Sequence, residues 1–178
     1  MMKIIRVIGG GLVSLTLLLL LIGYFLPNEY DFSRVHSIAS TCDAAFDYVN
    51  DLENLSEFSP WMQRDPTIRF DYTSPSTGEG ARVRWTSQES ANGAFTITES
   101  EAPKRIIGEL DFFELGKSEG YLLLDEDGPG CQLRLGFRGS FEAPRPIARW
   151  FSTLLPFFVG HELERALKEL ESILAERE

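Results

Sequence analysis

The sequence predicts an α+β fold: a curved, seven-stranded antiparallel sheet wrapped around a long C-terminal helix, preceded by one transmembrane helix. Three patterns predict it. Residues 7–26 carry no charge, apolar and polar residues alternate in short runs through residues 68–138, and apolar residues recur at helical spacing through residues 145–177. We therefore expect an N-terminal anchor, residues 1–27, and one domain, residues 28–178.

The anchor is an uncharged run of twenty residues, 7–26. At about 1.5 Å per residue, this run is long enough to cross a hydrocarbon core of about 30 Å. A cleaved signal peptide is the alternative, but its apolar region is shorter and ends in small residues, unlike residues 24–28. Lys3 and Arg6 precede the run and acidic residues follow it. This asymmetry predicts a cytoplasmic N-terminus and a periplasmic or otherwise extracytoplasmic domain.

The segment after the anchor is predicted to contain one strand and two short helices. A spacer, residues 28–32, leads to a strand over residues 34–39, where apolar and polar residues alternate. Capping residues followed by apolar residues at helical spacing predict a helix over residues 43–51. A second helix is expected over residues 54–61.

The period of the apolar residues then changes from about 3.6 to about 2, which predicts six more strands. Their connections are short, with turns at Asn92-Gly93, at Leu115-Gly116 and in the acidic run 125–130, so neighbours in sequence should be antiparallel neighbours in space. One face of each strand is apolar, and this face should lie against the C-terminal helix. The apolar positions are Ile68, Phe70 and Tyr72; Ala81, Val83 and Trp85; Phe95 and Ile97; Ile106, Leu110 and Phe112; Tyr121 to Leu124; and Leu133, Leu135 and Phe137.

The C-terminal helix, residues 145–177, carries two apolar stripes. The second, from Leu163 to Leu174, lies opposite charged residues and predicts an amphipathic helix. Pro156 interrupts the first stripe, so we expect one helix kinked at its middle or two helices in tandem. The first stripe consists of Ile147, Trp150, Phe151, Leu154, Leu155 and Phe158.

The charge of the chain limits its partners. Without Lys3 and Arg6, 15 of the 17 basic residues remain against 27 acidic ones, a net charge of −12 for the domain. A domain of this charge is repelled by phosphate backbones, so we expect no nucleic-acid partner. Anionic lipid headgroups are disfavoured for the same reason, with local exceptions at Arg145 and Arg149.

The polar residues form no recognisable metal, nucleotide or catalytic motif. Residues 161–165 carry Arg where a zinc-protease helix requires its second His, and Gly116-Lys117-Ser118 lacks the first glycine of a phosphate-binding loop. We therefore expect no metal and no cofactor. Cys42 and Cys131 are expected to be free buried thiols, and a disulfide between them, formed in an oxidising compartment, is the alternative.

The chain has several segments similar to those of a known family, namely residues 38–39 with 46–51, residues 55–61, residues 80–85, residues 93–99 with 101–106, and residues 160–171. With the order of the elements, these segments resemble the START-like superfamily, also called SRPBCC, which has the birch-pollen-allergen (helix-grip) fold and includes polyketide cyclases, dehydrases and lipid transporters. The resemblance spans about residues 32–173. Leu55 and Phe58 stand where the family's second helix carries tryptophans.

The resemblance implies an apolar ligand between sheet and helix, and no shared catalytic motif, so no catalytic residue is assigned. Each residue expected to line that space could instead be ordinary core. His36 is a possible acid or base, and Arg84 and Glu99 are possible polar residues that orient a ligand. The apolar lining candidates are Phe58, Trp61, Trp85, Phe95, Phe112, Tyr121, Phe137, Trp150, Leu154 and Phe158.

Three functions follow as hypotheses. The leading one is a membrane-anchored, extracytoplasmic domain that binds or transports a hydrophobic small molecule such as a lipid, a quinone or a polyketide-like compound. The second is a cyclase- or dehydratase-type enzyme, which a pair of His36 with a carboxylate inside the cavity would favour. The third is a structural or partner-binding module, which a filled interior would favour.

Residues 147–158 alternatively dip into the membrane interface, which would place the cavity mouth near lipid.

Overall fold

The computed structural model describes residues 2–113, 116–141 and 145–177. A long N-terminal helix, α1 (Met2–Phe25), precedes a seven-stranded antiparallel sheet and a long C-terminal helix, α5 (Arg145–Arg177). This architecture confirms the predicted fold class. The predicted turn residue Leu115 lies outside the described residues.

The sheet consists of β1 (Glu29–Ile38), β2 (Arg69–Tyr72), β3 (Arg82–Thr86), β4 (Gly93–Glu101), β5 (Arg105–Asp111), β6 (Lys117–Asp127) and β7 (Gly130–Ser140). Its strand order is β1-β7-β6-β5-β4-β3-β2, and each neighbouring pair is antiparallel. Strands adjacent in the sequence are neighbours from β2 to β7, as expected. The expectation fails for β1, which pairs with β7 at the other end of the chain.

The first strand starts earlier than the sequence pattern predicts. Residues 28–32 were expected to be a spacer, but β1 begins at Glu29, which pairs with Ser140, so few residues separate the strand from the end of α1. Tyr30 and Phe32 continue the alternation of the strand. The short connection ties the position of α1 closely to the edge of the sheet.

The short helices between β1 and β2 differ in detail from the prediction. Helix α2 (Cys42–Asn50) begins after Thr41, whose hydroxyl accepts a hydrogen bond from the backbone of Ala44 at 3.3 Å. The predicted second helix over residues 54–61 is instead two helices, α3 (Leu55–Phe58) and α4 (Pro60–Arg64), after a 3₁₀ turn. Pro60 divides them because proline has no amide hydrogen and is suited to the first turn of a helix.

The core lies between the second half of α5 and one end of the sheet. Helix α5 runs without a break through Pro156, so the alternative of two tandem helices is wrong. Its buried residues Leu163, Leu167 and Leu170 form the apolar stripe that the sequence predicts. Leu167 and Leu170 pack with buried residues of the sheet, of α2 and of the 3₁₀ turn that follows α2, which include Ile38, Phe46, Leu52, Val83, Ile97, Ile106, Leu122, Leu124 and Leu133.

A disulfide joins Cys42, at the start of α2, to Cys131 in β7. The expectation of free thiols is therefore wrong. The physical reason is strand pairing: Ile38, at the end of β1, lies opposite Cys131, and the chain then turns back so that Cys42 meets it. The sequence separation is 89 residues, and closing such a loop stabilises the folded state by about 4 to 5 kcal/mol in the chain-entropy model.

Candidate functional site

Alternation along the strands gives the sheet two different faces. The inner face, which carries Val83, Ile97 and Leu133, is apolar and packs on the core. The outer face carries charged residues, among them Lys117, which pairs with Glu109 at 2.7 Å. A binding site for an apolar molecule is therefore expected on the inner face.

Helix α5 covers only part of the inner face. It packs mainly along β1 and β7, at one edge of the sheet, rather than across its centre. Phe95, Leu110 and Phe137 point to the same side of the sheet as the core residues, yet they are only half-buried. The inner face thus has a closed end, under the second half of α5, and an open end that stays partly accessible.

Six aromatic side chains form a continuous series at this open end, which we call the aromatic row. The centroids of neighbouring rings lie 5.4 to 6.3 Å apart, within the range of favourable aromatic pairs. The row starts on the first half of α5, crosses β1 and β7 and ends on α4. In order, its members are Phe151, Phe141, Tyr30, Phe32, Phe137 and Trp61.

Two glycines of the inner face make room for aromatic rings. A Cβ atom on Gly120 would lie 3.2 Å from the Phe137 ring and 3.4 Å from the Phe95 ring, and a Cβ atom on Gly108 would collide with Phe95. The rings therefore lie directly against the backbone of β5 and β6. Because glycine has no side chain, these two positions leave the space that the Phe95 and Phe137 rings occupy.

The structure brings some of the lining candidates together. Trp61 and Phe137 belong to the aromatic row, and Phe95 lies beside Phe137 above Gly120. Trp85 and Phe112 form a separate pair, with ring centroids 6.1 Å apart.

Two of these candidates have structural partners that account for their positions. The Trp85 indole donates a hydrogen bond to the carbonyl of Ala91 at 3.0 Å. Phe58 is buried in the core beside Tyr48. Whether any of the lining candidates contacts a ligand stays a prediction.

Three candidates lie on the outer face. Tyr121 donates a hydrogen bond to Asp31 at 2.8 Å, Arg84 is exposed and stacks on Phe113, and Glu99 pairs with Arg105 at 2.5 Å. Each alternates with an inner-face neighbour along its strand, which directs its side chain away from the helix. A bulge between Ile97 and Glu99 shifts the register of β4 at that position.

Trp150, Leu154 and Phe158 lie on the first half of α5, and the structure does not bring them over the centre of the sheet. Leu154 and Phe158 are exposed. The Trp150 indole donates to the backbone carbonyl of Leu19 in α1 at 3.0 Å. This half of α5 therefore packs beside α1 instead of closing the inner face.

His36 has a carboxylate partner at the edge of the sheet. Its Nε2 atom lies 2.7 Å from Glu171 of α5, and the two side chains are 29% and 45% exposed. The neighbouring pair, Arg34 and Glu164, at 2.8 Å, also joins β1 to α5. Both pairs hold the helix to the edge strand, and their exposure differs from the enclosed acid–base pair that the enzyme hypothesis requires.

Two tyrosines outside the aromatic row are held in the neutral form. Burial and a hydrogen bond to Glu57 raise the pKa of Tyr48 well above its usual range, and the Arg177 guanidinium lies 4.4 Å from its ring centroid. Burial and the hydrogen bond to Asp31 likewise raise the pKa of Tyr121. Both hydroxyls thus act as structural hydrogen-bond donors.

Two open grooves lie outside the space between α5 and the inner face. One, of about 390 Å³, is formed by Thr16, Leu19 and Leu20 of α1 with Trp150. The other, of about 880 Å³, lies at the α1 end of the sheet and is lined mostly by outer-face residues. It is lined by Pro27, Glu29, Tyr30, Asp31, Thr98, Glu109, Lys117, Ser118, Glu119, Arg138, Gly139 and Ser140.

Metal ligands are not clustered in the part of the chain that the structure describes: it contains no group of three or more His, Cys, Asp or Glu residues placed to hold an ion. The aromatic row supplies apolar contact surface and a few polar donors. This chemistry suits binding of an apolar molecule.

The sequence reasoning missed Tyr30, Phe32 and Phe141, which connect the two ends of the aromatic row. Tyr30 and Phe32 follow the same two-residue alternation as His36 and Ile38, so extending the strand backwards would have found them. Phe141 likewise follows Phe137 and Gly139 at two-residue steps. The charged Arg34 in the middle of this pattern made the two-residue alternation difficult to recognise.

Comparison with known proteins agrees with this fold. The model of the family "Polyketide cyclase / dehydrase and lipid transport" matches residues 30–175. No match was found among the curated proteins.

Solved structures of the same fold share little sequence with this chain. A Chromobacterium violaceum protein is 15% identical over 83% of this chain and 98% of its own, with a TM-score of 0.57. The protein Ara h 8.0201 is 13% identical over 83% of this chain and 99% of its own, with a TM-score of 0.58. Norcoclaurine synthase from Thalictrum flavum, in complex with dopamine and hydroxybenzaldehyde, is 9% identical over 88% of this chain and 92% of its own, with a TM-score of 0.64. These identities establish a common fold only.

Proposed function

Because the chain belongs to the polyketide cyclase / dehydrase and lipid transport family, we propose that it is a membrane-anchored, extracytoplasmic protein that binds or transports a hydrophobic small molecule. Residues 1–27 are the anchor and residues 28–178 the binding domain. The aromatic row at the open end of the inner face carries this proposal. It offers a partly accessible, nearly uncharged surface inside a fold whose family is described by cyclase, dehydrase and lipid-transport activities.

The aromatic row also restricts the chemistry of the ligand. Five of its six members are partly or well exposed, so their rings are available for stacking and apolar contact. The Tyr30 hydroxyl at the middle of the row and the Trp61 indole N–H at its end are its polar groups. A molecule with an apolar or aromatic body and a small polar group, such as a lipid, a quinone or a polyketide-like compound, fits this surface best. In norcoclaurine synthase, which shares the fold, two small aromatic compounds are bound.

Two features support an extracytoplasmic position for the domain. Helix α1 contains Ile8–Phe25, which is long and apolar enough to cross a membrane, and Lys3 and Arg6 precede it. The disulfide between Cys42 and Cys131 is a bond that persists in oxidising compartments.

Ligand binding is tested by native mass spectrometry of the full chain, extracted from its own cells in mild detergent. We expect a co-purified apolar molecule on the wild-type protein. Phe137→Ala and Trp61→Ala each remove one ring of the aromatic row and should weaken binding roughly tenfold, equivalent to about 1.4 kcal/mol. Tyr121→Ala removes a ring from the outer face of the same sheet and is the matched control.

Two results would overturn the proposal. One is a wild-type protein that carries no small molecule and takes up none from a mixture of lipids and quinones. The other is a retained molecule whose occupancy is equal in the Phe137→Ala, Tyr121→Ala and wild-type proteins. Circular dichroism of each variant separates lost binding from lost folding.

A further inference from the structure

The first half of α5 exposes a continuous apolar surface, which we call the α5 stripe. Its members are 39% to 80% exposed, although all of them are large apolar residues. Exposed apolar surface of this extent usually marks a contact with a protein, a ligand or a membrane. The α5 stripe consists of Ile147, Phe151, Leu154, Phe157 and Phe158.

The contact between α5 and α1 indicates where this surface lies. The Trp150 indole donates to the carbonyl of Leu19 at 3.0 Å, and Leu19 precedes the end of α1 at Phe25 by six residues. At about 1.5 Å per residue, the Trp150 indole therefore contacts α1 roughly 9 Å from the C-terminal end of that helix. Helices that lie in a membrane interface bury their apolar side about 5 to 10 Å deep, so the two depths agree.

Two further contacts hold α5 in this position. Gly23 of α1 lies so close that a Cβ atom there would be 2.8 Å from both the Pro146 carbonyl oxygen and the Trp150 indole nitrogen. The Ser152 hydroxyl donates to the backbone carbonyl of Asn28 at 2.7 Å. If α1 spans the bilayer, these contacts place the start of α5 in the leaflet that contains the C-terminal end of α1.

The polar groups around this contact suit a lipid–water interface. The Arg149 guanidinium lies 5.6 Å from the ring centroid of Tyr24, in the last turn of α1. The Nε atom of Arg149 is buried and makes no hydrogen bond within the described part of the chain. Tyrosine and arginine are the residues that anchor transmembrane segments at headgroup level, and a guanidinium there can donate to a lipid phosphate.

The distribution of charge also favours lipid as the occupant. The chain has 27 acidic residues, yet residues 143–161 contain none, and acidic residues resume at Glu162. The half of α5 that packs on the core is thus acidic on its exposed side, whereas the α5 stripe is free of the negative charge that would keep it in water.

We infer that the first half of α5 is inserted into the outer leaflet beside α1, with lipid acyl chains covering the α5 stripe. Because Phe151 belongs to both the α5 stripe and the aromatic row, the row opens into the leaflet. The ligand is then a bilayer-resident amphiphile that enters the domain sideways from the membrane. The first step rests on the membrane anchoring in the proposed function, and the second step rests in addition on the proposed ligand binding.

Insertion is tested with single fluorescent labels on the full chain in phosphatidylcholine vesicles. The environment-sensitive dye NBD is attached to Ile147→Cys or Phe157→Cys, and to Lys168→Cys on the core-packed half of the same helix as a matched control. The native cysteines are paired and do not react. We expect brominated lipids to quench the label at residue 147 most, the label at 157 less and the label at 168 least, and aqueous iodide to quench in the reverse order.

The outcome of the labelling experiment can contradict the insertion in two ways. If iodide reaches the labels at residues 147 and 168 equally, the insertion is disproved. Protection from iodide without quenching by brominated lipid would mean that a second copy of the chain covers the α5 stripe, which also contradicts the inference. Gly23→Leu should separate α5 from α1 and reduce quenching by brominated lipid at residue 157 at least about twofold if the contact sets the depth.

Sideways entry is tested by ligand content. Phe157→Glu places a charge on the α5 stripe without altering the aromatic row, and Lys168→Glu is its control. We expect Phe157→Glu to lower both the lipid quenching of a label at residue 147 and the ligand content of the chain extracted from cells. If ligand content is unchanged when insertion is lost, entry from the leaflet is excluded and ligand binding itself still stands. A wild-type chain with inserted labels and no ligand would overturn the proposed ligand binding and, with it, sideways entry, whereas the insertion of α5 would stand.

Discussion

Asp65 shows how one buried side chain connects separate parts of this fold. Its carboxylate accepts hydrogen bonds from the Ser87 hydroxyl, from the Thr67 hydroxyl at 2.6 Å and from the Thr67 amide at 2.9 Å. It therefore joins the loop before β2 to the connection after β3. Donation by Ser87, and next by Thr67, lowers the pKa of Asp65 far below the usual range of an aspartate.

This lowered pKa predicts a loss of stability in acid. A carboxyl group with a lower pKa in the folded state stabilises the protein fully above its unfolded pKa, about 3.9, and this contribution is lost as the pH falls below it. We expect the wild-type melting temperature to fall between about pH 5 and pH 2. Asp65→Asn should be less stable than the wild type at pH 7, and its melting temperature should fall less on acidification.

The control for this prediction is Asp71→Asn, which removes one negative charge from the exposed side of β2. Thermal unfolding of both variants is followed by circular dichroism across the same pH range. Equal flattening of the pH dependence in the two variants would show that Asp65 is not the responsible group.

Gly120 gives a graded test of the inner face. Adding a methyl group would press on Phe137 and Phe95, at 3.2 and 3.4 Å, and a larger side chain would displace both rings. We expect Gly120→Ala to destabilise the domain slightly and Gly120→Val to destabilise it by about 1 to 3 kcal/mol. Urea unfolding measures the stability, and native mass spectrometry should show ligand content falling in the same order. A Gly120→Val variant as stable as the wild type would mean that free space lies above this position.

At the scale of elements, the two halves of α5 should respond differently to the same kind of truncation: the second half should lose stability and the first half should not. Leu167 is 1% exposed in the core, so Leu167→Ala should reduce the free energy of unfolding by about 2 to 5 kcal/mol. Phe157 is 80% exposed, so Phe157→Ala should change it by less than about 0.5 kcal/mol in detergent solution. Chemical unfolding of the two variants checks this, and comparable losses would mean that the first half of α5 packs on the domain.

The disulfide fastens α2 to β7, and its removal should destabilise the domain. We expect the double variant Cys42→Ala, Cys131→Ala to lose about 2 to 5 kcal/mol of stability, because the unfolded chain regains the freedom of a long loop. Urea unfolding of the wild type under reducing conditions should give a similar loss. If the double variant is as stable as the oxidised wild type, the bond contributes nothing to the fold.

The element boundaries show where local sequence signals mislead. Pro60 was expected near the end of one helix, but proline is compatible with the start of a helix, and it begins α4. Tyr30 and Phe32 were expected in a spacer because Arg34 interrupts the apolar alternation. Arg34 occupies an inward position in β1 because Glu164 of α5 pairs with it, a partner that the local sequence does not reveal.

At the scale of the whole molecule, the proposed orientation predicts the compartment of the C-terminus. Alkaline phosphatase, which is active only outside the cytoplasm, is fused after residue 178. We expect an active fusion, because the positive residues Lys3 and Arg6 should stay inside. Changing both to Glu should lower the activity of the fusion severalfold. An inactive wild-type fusion present at normal levels would show that the domain faces the cytoplasm.

Local patterns in the sequence were sufficient for the general architecture. The two-residue alternation, the helical spacing of residues 163–174 and the uncharged run 7–26 each depend only on neighbouring residues, and the structure has the corresponding elements. The family resemblance followed from the order of those elements. The face of the sheet to which an individual side chain points was harder to predict, as Tyr121 on the outer face shows. A single residue within an apolar run does not reveal the register of its strand.

The sequence by itself determined the fold class, the apolar N-terminal helix and the acidic character of the domain. Only the tertiary structure decided that β1 pairs with β7, that Cys42 is bonded to Cys131, and that α5 lies along one edge of the sheet beside α1. The reason is physical: propensity and periodicity act between residues a few positions apart. Contacts between the two ends of the chain depend instead on how complete elements pack together, and here that packing decides which apolar side chains remain exposed.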